Sequence, residues 1–385
     1  IEKCILEYNE EKPSKNTAVV VADPSNGEIL GMASYPTFNL NDPRKLTGMY
    51  TDEEIKDMSD EEYRNNLYSL WTNYCVSESY EPGSTFKPVT VASALEEGVV
   101  KDGDTYVCKG FETVADYKLK CHVFSTIGSH GSLTVEQALM NSCNPYMIHL
   151  ALEMGNSRFA YYQSLFGFGK ITGIDLPGET TGIVYGDRMT TIDAACNSFG
   201  QTINVNMMQM MAAYCSIING GMLYQPHIVK RIESANGEVV KEYKANLVRQ
   251  TITASTSKLL RRYLKNTVEE GTAKKAGVTG YSVAGKTGTA QKGDRKDNKW
   301  IISFIGHAPA ENPKFAIYVV IDEPYGTTGT SGSSADVLTL THNILEKLLP
   351  YMNVYKDASD EYEDTSSSPD ELTVDGIPAG TASSN

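Results

Sequence analysis

Short apolar runs stand near both ends of this chain, and apolar residues spaced three and four apart fill its middle, so strands are expected outside and helices inside. The run "NTAVVVADPSNGEILGMAS" predicts a β-hairpin. Its strand lies around Ala18–Ala22, its turn is built on Asp23, Pro24, Asn26 and Gly27, and its return strand spans Glu28–Ser34. Thr51–Asn65 is charged with a helical pattern. "TFKPVTVASALEEG" predicts a helix stopped at Gly98, where Pro88 is tolerable because it falls in the first turns. Gly103–Gly131 reads as short strands and loops. Thr134 and Gln137 then fit a capping box, with Pro145 marking a break soon after. Further helices are expected at Val205–Ile218 and Ser255–Glu269, the second closed by Gly271.

Three strand patterns follow in "GYSVAGKTGTAQ", "NKWIISFIGHAP" and "KFAIYVVIDEP", then a helical pattern over Ala335–Leu349. Strands from both ends with helices between them predict an α+β fold around one antiparallel sheet, with a helical subdomain. There is no internal repeat. The expected organisation is residues 1–15 as the end of an upstream region, 16–355 as one domain, and 356–385 as an acidic flexible linker.

Composition changes this picture little. The 385 residues are 41 % hydrophobic, enough for a large core, and the net charge is -14. About half of that charge lies in the tail from Lys356, and no basic stripe offsets it, which argues against nucleic acid as a partner. No apolar run approaches the roughly 18 to 20 residues of a membrane helix, and the opening residues lack the pattern of a signal peptide. The chain is therefore expected to be a fragment whose membrane anchor, if present, lies upstream. Seven irregularly spaced cysteines form no disulfide framework.

The candidate chemistry starts at "YEPGSTFKP". Ser84 and Lys87 are three residues apart, neighbours on a helix. Serine is a weak nucleophile until a base takes its proton, and none of the six histidines has an evident relation to Ser84. Lysine can be that base only with a lowered pKa, which burial beside another cation provides. "GKTGTA" supplies such a cation in Lys286, with Thr287, Gly288 and Thr289 after it; glycines flanking the Lys-Thr pair would clear room for a substrate backbone. Between these segments "NSCN" offers Ser142 and Asn144.

The order Ser-x-x-Lys, Ser-x-Asn, Lys-Thr-Gly is the motif set of serine β-lactamases and penicillin-binding proteins. Each motif alone is weak: "STSK" (Ser255–Lys258) and "SKN" (Ser14–Asn16) are decoys, but neither fits the ordered set. Together with "AVVVADPSNGEILGMASYPTFN", "ALMNSCNP", "SFGQTINVNMMQM" and "VEEGTAKKAG", the chain resembles the transpeptidase domain of class B penicillin-binding proteins of the elongation, division and sporulation types, over roughly Asn16–Leu349.

The resemblance implies a penicillin-binding fold and a D,D-transpeptidase that cross-links peptidoglycan stem peptides and is acylated by β-lactams. It implies Ser84 as nucleophile, Lys87 as base, Ser142 as proton relay and Asn144 as orienting amide. Lys286, Thr287, Gly288 and Thr289 would bind substrate, Lys286 would also lower the Lys87 pKa, and the N–H groups of Ser84 and Thr289 would form the oxyanion hole. It further implies a site outside the cytoplasmic membrane, a glycosyltransferase partner in that membrane, and no cofactor for catalysis. The competing expectations are a serine β-lactamase or β-lactam sensor domain, for which no dedicated deacylating base is visible, and a catalytically silent scaffold. For isolated motifs, a capping Ser84 and a solvated Lys87 would be the plain alternative.

Cys108, Cys121 and His130, with Asp116 or His122 as a fourth ligand, have the mixed character of a structural zinc site. Their spacing fits no standard pattern, and a Cys108–Cys121 disulfide or unconnected residues are equally open readings. Cys143 reads as packing that points away from Ser142, and Met207, Met208, Met210 and Met211 as core filling.

Overall fold

The computed structural model describes residues 1–46, 49–293, 299–324 and 334–358. The linker expected from residue 356 lies, from residue 359 onward, outside the described residues.

Five antiparallel strands form the central sheet. They are β1 (Ser14–Ala22), β2 (Ile29–Tyr35), β3 (Ala284–Lys292), β4 (Lys299–Ala308) and β5 (Phe315–Pro324), in the spatial order β3-β4-β5-β1-β2. Both chain ends thus meet in one layer, as the strand pattern predicts: Val19 faces Val319 on one side and Ala33 on the other. Period-two alternation splits the central strands between two cores. Val19, Val21, Phe304, Ile317, Val319 and Ile321 pack on one face against α1 (Glu2–Glu11) and the last helix, Ser334–Tyr351. Val20, Ile301, Ile305, Tyr318 and Val320 face the helical region. Burial on both faces explains why "FAIYVVI" is continuously apolar rather than alternating.

At the centre of the helical region is α2 (Lys87–Glu97), buried from Lys87 through Ala94 and ended by Gly98 in the left-handed conformation (φ 77°). The Met-rich helix Met207–Ile218 packs beside it and is buried along its whole length, so its methionines are core, each contributing about 1.5–3 kcal/mol by burial. Along Ala254–Glu269 the buried positions Leu260, Tyr263, Leu264, Thr267 and Val268 follow the i, i+3, i+4 rule. The charged segment read as one helix is two, Asp52–Asp57 and Asp60–Trp71, because Ser59 caps the second one through Glu62 N.

Several elements escaped the pattern analysis. The helix Asn156–Leu165 buries Phe159, Ala160, Tyr162 and Gln163 without a clear apolar stripe. The ribbon Arg231–Glu233 with Val239–Glu242 is exposed on both faces, so no alternation marks it. Among the described residues, no helix is long and apolar enough to cross a membrane.

Two glycines hold the sheet edge against the helical region. Gly83 has φ 55°, and a Cβ there would meet the Thr289 carbonyl oxygen at 2.5 Å. Gly200 has φ 82°, and its Cβ would meet the Gly83 oxygen at 2.0 Å. Gly200→Ala therefore forces both a disfavoured backbone and a clash, and it is expected to lower stability by about 1–3 kcal/mol in urea unfolding. An unchanged midpoint would contradict this packing argument.

Candidate active site

Ser84 lies in a 3-10 turn, Gly83–Phe86, that runs directly into α2. The capping alternative does not hold, since neither the turn nor the helix has a side-chain cap bond. Ser84 Oγ instead accepts a hydrogen bond from Ser142 Oγ at 3.0 Å. Nor is Lys87 solvated: its side chain is 0 % exposed.

The second segment follows α3 (Val135–Met140), whose start is fixed by the predicted capping box of Thr134 and Gln137. After Met140 the chain breaks for three residues, with Ser142 at φ 53°, and restarts as α4 (Asn144–Met154) with Pro145 in its first turn. This break turns Ser142 and Asn144 toward Lys87. The Lys87 Nζ donates to Ser142 O at 2.5 Å, Ser142 Oγ at 2.9 Å and Asn144 Oδ1 at 2.7 Å. Those are the three bonds an ammonium can make. Burial pushes the Lys87 pKa down to about 8, and nearby Cys121 and Cys143 pull it back only partly. No Ser84–Lys87 bond is made, so the hydrogen-bonded route between them runs through Ser142.

The third segment is β3 at the sheet edge. Lys286 is 0 % exposed, and its Nζ donates to Thr287 O at 3.2 Å. Burial, followed by repulsion from Lys87, holds Lys286 well below the ordinary lysine range. For Lys87 itself the dominant cause is burial, so the expected influence of Lys286 falls the other way. The flanking glycines also have a reason the sequence hid. A Cβ on Gly285 would strike the Phe304 ring, and one on Gly288 would strike Ser303 Oγ and the Pro82 carbonyl, so they clear room for the protein's own atoms. Thr289 is partly exposed beside Gly83. Sequence inspection missed Thr272: its Oγ1 donates to Met140 O at 3.2 Å and accepts from Thr287 Oγ1 at 3.4 Å, tying α3 to β3.

Next to this arrangement, the ligand atoms of Cys108, Cys121, His130 and Cys143 all lie within 4.8 Å of one another. The fourth member is thus Cys143, read from sequence as packing, and not Asp116 or His122. Asp116 is exposed, and His122, whose Nδ1 lies 3.8 Å from Cys121 Sγ, is not among the four residues whose ligand atoms converge. Cys143 does point away from Ser142, but into the cluster: the left-handed Ser142 turns the chain immediately before it. All seven cysteines are free, so Cys108 and Cys121 form no disulfide. His130 Nδ1 is 3.8 Å from Cys108 Sγ and 3.6 Å from Cys121 Sγ; tetrahedral zinc with ordinary bond lengths would place N and S about 3.6 Å apart. Gly110 N–H donates to Cys108 Sγ at 3.4 Å. Hydrogen bonding from Cys143 lowers the Cys108 thiol to about 5 and also lowers Cys121, while the same bonds raise Cys143. This donor set could bind a metal ion, and a dication would favour the thiolate at all three sulfurs.

Residues 17–346 match the family described as "Penicillin binding protein transpeptidase domain". Stage V sporulation protein D of Bacillus subtilis is 38 % identical over 91 % of this chain and 51 % of its own length. Peptidoglycan D,D-transpeptidase FtsI of Escherichia coli is 30 % identical over 90 % of this chain and 53 % of its own. The chain spans about half the length of these curated relatives. Among solved structures, penicillin binding protein 3 of Mycobacterium tuberculosis complexed with aztreonam is 27 % identical with a TM-score of 0.76, covering 93 % of this chain and 78 % of that one. The D,D-transpeptidase domain of a peptidoglycan glycosyltransferase from Eggerthella lenta is 27 % identical with a TM-score of 0.77, covering 92 % and 82 %. With the family match running from the first sheet strand into the last helix, the chain belongs to the penicillin-binding protein transpeptidase family.

Proposed function

We propose that this domain is a peptidoglycan D,D-transpeptidase that forms cross-links through an acyl-enzyme on Ser84 and is acylated there by β-lactams. The observation that carries the reading is the hydrogen-bonded path from Ser84 through Ser142 to a fully buried Lys87. Relatives named as peptidoglycan D,D-transpeptidases and structures complexed with aztreonam or ampicillin support it.

With Lys87 protonated, hydrogen bonds point outward from Nζ, and Ser142 donates to Ser84. Once Lys87 is neutral the direction reverses: Ser84 donates to Ser142 and Ser142 to Nζ. Ser84 Oγ then attacks the penultimate D-Ala carbonyl while its proton passes through Ser142 to Lys87. The oxyanion meets the N–H groups of Ser84 and Thr289. The C–N bond breaks, the departing D-Ala amine takes the proton back along the same path, and an amine of a neighbouring stem resolves the ester. Asn144 keeps Nζ in place, and Lys286, Thr287 and Thr289 receive the terminal carboxylate, with Gly288 letting β3 close on the Ser84 turn. The substrate places this reaction outside the cytoplasmic membrane, beside a glycosyltransferase that makes the strands to be joined.

The resident metal in this reading is zinc, held by Cys108, Cys121, His130 and Cys143 in a closed structural site. Bound there, it would tie the short strands of 105–134 to the break that carries Ser142 and Asn144, with no part in proton transfer.

Fluorescent penicillin followed by mass tests the function. A lasting adduct on Ser84 is expected; rapid turnover would indicate a β-lactamase, and no adduct a silent scaffold. Because Lys87 must be neutral to act, the acylation rate should rise with pH through about 8 and then level off; a flat profile from pH 6 to 10 would remove Lys87 as base. Lys87→Ala should slow acylation by about 10²–10⁴-fold. Protein purified without chelator should carry one zinc per chain, and Cys143→Ser should lose most of it and acylate roughly tenfold or more slowly. Metal analysis that finds no stoichiometric zinc would refute the site.

A further inference from the structure

Thr272 lies where the chain leaves the helix Ala254–Glu269 and crosses the end of α3. Met140 is the last residue of α3, so its carbonyl has no partner within that helix. Both donors of Thr272 turn to it, the N–H at 3.2 Å and the hydroxyl at 3.2 Å. The approach is so close that a Cβ on the preceding Gly271 would meet the same carbonyl oxygen at 2.8 Å. Held in this way, Thr272 places its Oγ1 3.4 Å from Thr287 Oγ1 on β3.

A hydroxyl has one proton and two lone pairs, which sets the direction of this chain. The Thr272 proton goes to Met140 O, so toward Thr287 it can only accept, and the Thr287 proton points at Thr272. Lys286 Nζ donates to Thr287 Oγ1 from the other end, at 3.4 Å. Every donor thus points the same way, from Lys286 through Thr287 and Thr272 to Met140 O. A carboxylate needs the Thr287 proton, and that proton is committed to Thr272. The relay can reverse without stranding a group. Met140 O keeps the Thr272 N–H when the hydroxyl leaves it. That hydroxyl then donates to Thr287 Oγ1, and the Thr287 proton turns to the carboxylate.

We propose that Thr272 is a positioning residue: its hydroxyl swings between Met140 O and Thr287 Oγ1, which lets Thr287 give its proton to a carboxylate on the leaving group of the donor. The inference rests on the reading of Lys286 and Thr287 as carboxylate receptors, and adds to it a residue outside all three motifs. Thr272 then matters for donors with a negatively charged leaving group, since a neutral one draws a weaker bond from Thr287.

The test uses two D-Ala thioester donors with the same acyl group and either mercaptoacetate or mercaptoacetamide as leaving group. Each is assayed for kcat/KM of Ser84 acylation, with benzylpenicillin, a carboxylate, alongside. Thr272→Val keeps the shape and the N–H bond to Met140 O but removes the hydroxyl. It should lower kcat/KM for the mercaptoacetate donor and for benzylpenicillin about tenfold and change the mercaptoacetamide donor by less than about twofold. Thr272→Ala, which cannot crowd its neighbours, should repeat that pattern, and Thr272→Ser, which keeps the hydroxyl, should restore most of the loss. An equal loss on both thioesters in the Val and Ala variants would overturn the relay, as would an undiminished mercaptoacetate rate. Equal rates for the two thioesters on the unaltered protein, with penicillin still acylating Ser84, would overturn the carboxylate receptor and the relay with it. Failure of both donors and of penicillin would overturn the transpeptidase reading itself.

Discussion

A lysine amine with no exposed surface has to find every partner inside the protein, and the three acceptors around Lys87 come from two residues, Ser142 in the three-residue break between two helices and Asn144 just after it. An unpaired buried ammonium would cost several kcal/mol or simply lose its proton. The position of Lys87 and the conformation of residues 141–144 therefore specify each other. The left-handed Ser142, which would be strained on its own, is held by bonds from Nζ to both its carbonyl and its hydroxyl. Because Lys87 begins α2 and Ser84 lies one turn before it, this one demand also sets where the candidate nucleophile stands relative to the rest of the site.

Much of this was legible in the sequence, for physical reasons. Strands buried on both faces must be continuously apolar, so β5 is visible as "FAIYVVI", and helices with a buried stripe or a capping box declare themselves, as at Thr134 and Gln137. The ordered Ser-x-x-Lys, Ser-x-Asn and Lys-Thr-Gly motifs pointed to segments that do converge. What stayed hidden was direction. Nothing in "NSCN" states that Cys143 faces a histidine and two cysteines up to 35 residues earlier, since a buried cysteine in packing and one in a ligand cluster look alike in one dimension. Gly285 and Gly288 look like concessions to a substrate until Phe304, Ser303 and Pro82 are seen against them. Thr272 carries no motif at all; only the meeting of α3 with β3 gives its hydroxyl a role.

The thiol cluster and the amine network share one piece of backbone. Ser142 and Asn144 face Lys87 while Cys143 between them faces Cys108, Cys121 and His130. A peptide held from both sides has little freedom to adjust, so the two networks constrain the break more tightly together than either would separately. The electrostatics run the same way: Cys121 and Cys143 are close enough to oppose the effect of burial on Lys87. Donor atoms at the cluster thus influence the amine both through shared backbone and through charge.

The strand order has a further bearing on how such a chain is made. β1 lies between β2 and β5, and Val19 must wait for Val319, about 300 residues later, before its second ladder can form. At ~5–20 residues per second, a chain emerging from its N-terminus leaves the apolar strand Ala18–Ala22 with an open edge for roughly 15–60 s. The Ser84 turn is in the same position, since its wall at Thr289 arrives with the C-terminal strands. A domain assembled in this way brings the Ser84 turn against Thr289 only when nearly all of it has been synthesised, and until then the N-terminal hairpin presents an unpaired edge.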